Sequence, residues 1–110
     1  MGYHKLCLAT GGHPFKPPTP GIDLNNIHLF RTNKDQETIK KKAENAKNIV
    51  VVGAGFIGSE VTANLQKTFK GKKNITMVCD MIPMEKYFGQ DIGQMFLHEH
   101  ESNGVKVYVN

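Results

Sequence analysis

Between Asn48 and Val61 the chain reads NIVVVGAGFIGSEV, and no other stretch restricts the fold as strongly. Ile49 to Val52 is a β-branched run without alternation, which suits a parallel strand covered on both faces. Gly53-Ala54-Gly55-Phe56-Ile57-Gly58 follows at once as GxGxxG, and a helical period opens at Phe56. Alone such a pattern is weak, because glycines are common in turns; between a buried strand and a helix it has a mechanism. Gly53 permits the tight turn, Gly55 puts no Cβ between the backbone and a pyrophosphate, and Gly58 lets the helix pack closely on the strand. The free N–H groups of Phe56 and Ile57, with roughly half a positive charge at the helix start, suit a pyrophosphate. The competing reading is a glycine turn with a purely structural role.

The rest of the chain supplies a frame for that unit. Tyr3 to Ala9 (YHKLCLA) has the composition of a short strand stopped by TGG. His13 to Gly21 holds four of the five prolines, so it is extended or turning and reads as a crossover between structural units. RTNKDQETIKKKAENAKN reads as a helix, capped by Thr32 or Asn33, with Asp35 and Glu37 at its positive end. Ile39, Ala43 and Ala46 give it a thin apolar stripe. Past the glycine turn, a helix from Phe56 to about Phe69 precedes a second strand, Ile75 to Cys79, and a loop, MIPMEKYFG. A further helix, Asp91 to Ser102, carries Ile92, Met95 and Phe96 as core residues and stops at Asn103-Gly104. Val105 to Val109 alternates as a third strand. The order predicts an α/β class, a partial Rossmann-like three-layer fold whose parallel sheet runs βαβαβ with right-handed crossovers.

Composition narrows the function classes. With 110 residues, 39% hydrophobic and 22% charged, the chain is an ordinary globular length and composition. No apolar run approaches the ~20 residues of a membrane span, and MGYHKLCLATGG has neither the basic start nor the apolar core of a secretory signal. The chain therefore reads as intracellular, with cytoplasm and mitochondrion unresolved. The net charge of +4 lies largely in KKKAENAK and KTFKGKK, which read as solvated helix faces and ends rather than a nucleic-acid surface. Cys7 and Cys79 sit in apolar runs and read as two buried, reduced thiols. The five histidines form no ligand array with them, so no metal site is expected. Asp80, twenty-two positions after Gly58 and just past the second strand, is placed to accept from an adenosine ribose hydroxyl. No arginine follows that strand, which favours NAD(H) over NADP(H). The alternative is a solvated loop carboxylate.

The run YHKLCLATGGHPFKPPTPGIDLNNIHLFRT, then NIVVVGAGFIGSEVTANL, then YFGQDIGQMFLHEHESNGVKVYV, resembles the FAD-dependent pyridine nucleotide-disulfide oxidoreductases. Within that family it is similar to the ferredoxin-reductase-like and apoptosis-inducing-factor-like members, over nearly the whole chain. The resemblance implies that Ala9-Thr10-Gly11 belongs to an FAD domain, with Thr10 and Gly11 near the flavin, and that the proline segment crosses into an NAD(P)H domain. It implies that Gly53, Ala54, Gly55, Phe56, Ile57 and Gly58 hold the nicotinamide cofactor's pyrophosphate and that Glu60 faces the nicotinamide. Glu60 also reads as lying in the first helical turn, where an anion is favoured without any ligand. Two positions depart from the family pattern. Its second strand usually ends in glutamate where this chain has Cys79, with Asp80 one step late, and His4 stands where an aspartate is common.

The expected division is therefore 1–33, a segment from the FAD side with the proline crossover, and 34–110, a partial NAD(H)-binding domain. The implied function is the NAD(H)-binding portion of an oxidoreductase passing hydride from NADH to FAD and on to an acceptor, of which a ferredoxin-like protein is one. No catalytic residue is assigned within the chain, and by itself it is expected to be inactive. A non-catalytic nucleotide-binding or accessory module is the rival. An upstream FAD fingerprint and further strands after Val109 are expected in a longer protein. Unpaired strand edges and an incompletely covered sheet predict self-association of the 110 residues.

Overall fold

A computed structural model describes residues 2–110. The chain divides into two compact units, one ending at Lys42 and the other running from Ala43 to Asn110.

The first unit is largely extended. Tyr3 to Ala9, expected as a strand, is not one: Tyr3, Leu6 and Leu8 are exposed. Strand composition is insufficient without a neighbouring strand to take up the backbone N–H and C=O groups. Cys7 is exposed too, against the expectation of two buried thiols. After the prolines, the chain folds back in short turns, with Ile22 N–H donating to Thr19 O at 3.1 Å and Leu24 N–H to Gly21 O at 3.0 Å. An ion pair joins Lys16 to Asp23.

Helix α1 (Asn33–Asn45) begins in this unit. Its start is closed by a reciprocal cap: Asp35 N–H donates to Thr32 Oγ1 at 3.2 Å, and Thr32 N–H donates to Asp35 Oδ2 at 2.7 Å. Two donors that a helix start leaves orphaned are thereby satisfied. The bonds from the Thr32 backbone and hydroxyl, and that from Arg31, hold the Asp35 carboxyl below the usual carboxylate range.

The second unit is built from β1 (Asn48–Val52), α2 (Phe56–Phe69), β2 (Asn74–Cys79), α3 (Glu85–Phe88), α4 (Gln90–Ser102) and β3 (Lys106–Val109). The strands form one sheet in the order β1-β2-β3, both pairs parallel, with Val52 opposite Val78 and Val78 opposite Tyr108. The Lys73 ammonium joins the end of α1 to this unit's own residues, donating to Glu44 O at 2.9 Å and Ala46 O at 2.6 Å. The core gathers Ala54, Ile75, Met77, Cys79 and Val105, with Leu65 and Val107 against it.

Two expectations about packing need correction. The β-branched run of β1 is not covered on both faces: Val50 is 60% and Val52 81% exposed. Only the alternate residues, Ile49 and Val51, are half-buried. In α4, Ile92, Met95 and Phe96 are exposed, while Gly93 and His100 are buried and Leu97 half-buried. The inward stripe is thus 93, 97 and 100, and its reason is steric. A Cβ on Gly93 would stand 2.9 Å from Ile82 Cδ1 and 3.1 Å from Glu85 Cβ, so the glycine face is where α4 packs tightly against the Ile82–Glu85 segment.

Candidate functional site

The glycine turn lies at the carboxyl ends of β1 and β2, the side of an open α/β sheet where ligands bind. Gly53 has φ 97°, a conformation side chains resist, and its N–H donates to Val78 O at 2.8 Å. Gly58 permits the closest contact in the unit: a Cβ there would fall 2.0 Å from Gly53 O. Only glycine lets α2 start so near the strand it follows. Ala54 is buried, and its carbonyl accepts from Met84 N–H at 2.9 Å and from Ser59 Oγ at 3.3 Å.

Gly55 is the residue before α2 and gives the helix no side-chain cap, while Ser59 N–H already donates to Gly55 O at 2.9 Å. The earlier N–H groups of the helix, those of Phe56, Ile57 and Gly58, are the ones that a helix start leaves without intrahelical acceptors. Phe56 and Ile57 are about half exposed, so this end of α2 faces solvent. Backbone donors at a helix start with no Cβ in front of them fit a phosphate group.

Glu60 is exposed and its carbonyl accepts from Asn64 Nδ2 at 2.9 Å. It stands fifth in α2, and the first turn contains no acidic residue. The expected support from the helix dipole is therefore weaker, because that field falls off within a turn. Asp80 is exposed and lies two residues beyond Val78, the strand residue bonded to Gly53, so the fold brings its backbone to the same sheet end as the turn. Cys79 points the other way, into the core, with Sγ donating to Tyr108 O at 3.6 Å. Burial and then the Asp80 charge push its thiol upward from its ordinary value. Thr10 and Gly11 belong to the first unit, both exposed, Gly11 with φ 69°.

The segment read as a loop contains α3 and contributes groups that the sequence did not single out. Met84, buried, has φ 65°. Tyr87 and Phe88 flank Phe56, with ring centroids 4.5 and 5.8 Å away. The adjacent aromatics in MEKYFG were visible, but nothing local linked them to a turn some thirty residues earlier. Beside them a groove of about 790 Å³ runs between α2 and α4, lined by Phe56, Ala63, Phe88, Phe96 and His100. His100 is 6% exposed, and burial holds its imidazole below its ordinary pKa, partly opposed by Glu99. Among the described residues no cluster of His, Cys, Asp and Glu could hold a metal ion, and no helix is long and apolar enough to cross a membrane.

Comparison with known proteins agrees with this architecture. The chain is 35% identical over 109 residues to mouse apoptosis-inducing factor 3, covering 99% of this chain and 18% of that protein. It is 29% identical to a ferredoxin–NAD(P)(+) reductase of a Sphingomonas species, covering 97% and 25%. A water-forming NADH oxidase from Lactobacillus brevis, solved with NADH, superposes with a TM-score of 0.82 at 29% identity, covering 90% of this chain and 22% of that one. The chain thus spans about a fifth to a quarter of the length of these proteins. The profile of the pyridine nucleotide-disulphide oxidoreductases matches residues 1–110, and the chain belongs to that family.

Proposed function

We propose that residues 34–110 are the NAD(H)-binding portion of an FAD-dependent oxidoreductase, and that residues 1–33 come from its FAD-binding side. The observation that carries this is the fit of the glycine turn to a pyrophosphate. Gly58 lies where a Cβ would overlap Gly53 O at 2.0 Å, and the uncapped start of α2 faces solvent. Gly53, Ala54, Gly55, Phe56, Ile57 and Gly58 would hold the pyrophosphate, Asp80 the adenosine ribose, and Glu60 the nicotinamide side. Thr10 and Gly11 would belong with FAD in the longer protein, a role supported by the family resemblance alone. The bound dinucleotide supplies a hydride; this chain's residues bind and orient it. Flavin would receive that hydride in the whole protein, and a ferredoxin-like acceptor would follow. The names of the NADH oxidase and ferredoxin reductase relatives support both steps. NAD(H) is the favoured cofactor, because Asp80 would repel a 2′-phosphate.

The test is an NADH titration by calorimetry on the chain and on Gly55→Val, with circular dichroism to check the fold. The branched side chain should abolish binding while the helical signal is retained. Equal affinities would place the site elsewhere.

A further inference from the structure

Helix α4 stops on Asn103-Gly104, and no other asparagine of the chain precedes a glycine. The fold demands that glycine. Gly104 has φ 84°, the left-handed conformation of a helix stop, and a Cβ there would stand 3.3 Å from Gln66 Nε2. Asparagine is a labile residue, and most so before glycine, where no side chain hinders the following nitrogen from closing a ring on the asparagine Cγ. Asn103 is exposed, so water reaches it.

We propose that Asn103 is a modification site, converting to aspartate or isoaspartate through a succinimide at a rate set by the cap of α4. Gly104 N attacks Asn103 Cγ. The N–Cγ bond forms, the Cγ–Nδ2 bond breaks, and the proton of Gly104 N leaves with the side-chain nitrogen as ammonia. Water then adds to either carbonyl of the ring and opens it, so neither an oxidant nor a reductant is required. The reaction draws on no residue of the dinucleotide site and stands apart from that reading.

The cap holds both reacting groups out of that geometry. Gly104 N–H donates to Glu101 O at 2.9 Å, which keeps the proton on the nitrogen that must give it up. Asn103 Nδ2 donates to Glu99 O at 2.8 Å and to Glu99 Oε1 at 2.9 Å, drawing the side chain back along the last turn of α4. Ring closure therefore requires that turn to open, and helix ends open more readily than cores.

Once made, the change prevents the cap from closing again. A carboxylate at position 103 would face the Glu99 carboxylate in place of the amide that now donates to it, and like charges repel. The isoaspartyl form also adds a methylene to the backbone between α4 and β3. Asn103 O, which accepts from Gln66 Nε2 of α2, lies in that link. Val105, two residues on, is 4% exposed in the core, and its N–H donates to His100 O at 3.0 Å. A longer link there displaces packed residues, so the isoaspartyl chain should unfold at lower urea than the unmodified one.

The experiment incubates the 110-residue chain at neutral pH, folded and in urea, and follows Asn103 by peptide mass spectrometry with an isoaspartate assay. Conversion should be at least about tenfold slower in the folded chain. Glu99→Ala removes one of the two bonds to Nδ2 and should speed the folded reaction by about threefold to tenfold, while Glu99→Gln keeps a side-chain oxygen as acceptor and should restore the slow rate. Hydrogen exchange at Gly104 N–H of the unsubstituted chain, which needs no variant to fold, should be slowed by a similar factor. Absence of conversion in urea overturns the site. Equal rates in the folded and unfolded chain, an unchanged rate in a folded Glu99→Ala, or an unprotected Gly104 N–H overturns its control by the cap.

Discussion

The two faces of the three-stranded sheet share a backbone and differ in nearly everything else. On one face Ile75 and Met77 are 1% and 0% exposed where α2 packs on β2, while Val50, Val52 and Tyr108 on the other stand open. The residue types are similar, so exposure here follows from what the fold places above each face. Hydrophobic residues inside is a one-way rule. A valine earns stability only where something covers it, and the same run of four β-branched residues does two different things on its two sides.

Substitutions on the two faces should separate most sharply at Met77. Met77→Ala removes a fully buried side chain from the centre of the core, and should lower unfolding stability by about 3 kcal/mol in a urea titration. A loss below about 1 kcal/mol would mean that the covered face is as loosely packed as the open one.

A smaller effect should come from the groove side through His100. Its pKa is held below the ordinary 6.5 by burial. Above pH 6.5 the imidazole is neutral in both folded and unfolded chains. Below it the unfolded chain takes up the proton first, so stability falls as pH drops from 6.5 toward the lower folded pKa. His100→Gln should flatten that part of a stability–pH curve measured by denaturant unfolding. An unaltered slope between pH 7 and about 5 would remove His100 as its source.

The smallest effect belongs to the open face. Val52→Thr exposes nothing that is not already 81% exposed, and should change unfolding stability by no more than about 0.5 kcal/mol. Its consequence should instead appear in association: light scattering across a concentration series should fall for a Val50→Thr, Val52→Thr double substitution if copies meet through this face. Scattering that stays equal and monomeric for both proteins would show that the open face is tolerated in solution as it stands.

These contrasts also mark what was legible beforehand. The strand–turn–helix unit was readable because its signals are local: a β-branched run, glycines at fixed spacing and a helical period adjoin one another in twenty residues. The start of α1 was readable for the same reason, with Thr32 or Asn33 as its cap; the structure selects Thr32 and pairs it with Asp35, to which the sequence alone assigns only a dipole role. The face of β1 that stays open was not, because Val50 and Ile49 are chemically alike and only the third dimension tells them apart. The stripe of α4 was misread by one step, since Met95 and Phe96 outweigh Gly93 on any hydrophobic scale, while close approach favours the glycine. At the site, the turn was legible and its neighbours were not. Tyr87 and Met84 reach Gly55 and Ala54 through tertiary contact, for which a sequence of this kind carries no periodic signature.

The bond from Met84 N–H to Ala54 O has a consequence for how recognition can change. It joins the segment that follows Asp80 to the turn that starts at Gly53, so the adenosine ribose and the pyrophosphate of a dinucleotide would be read by one mechanical body. Their contributions to affinity should not factorise: in a double-mutant cycle pairing a loop change with a turn change, a coupling of about 0.5–3 kcal/mol is the expected scale for groups in direct contact. A change of cofactor preference could not then be made by editing the acidic residue alone. The loop and the turn would have to be exchanged together, as a single heritable cassette.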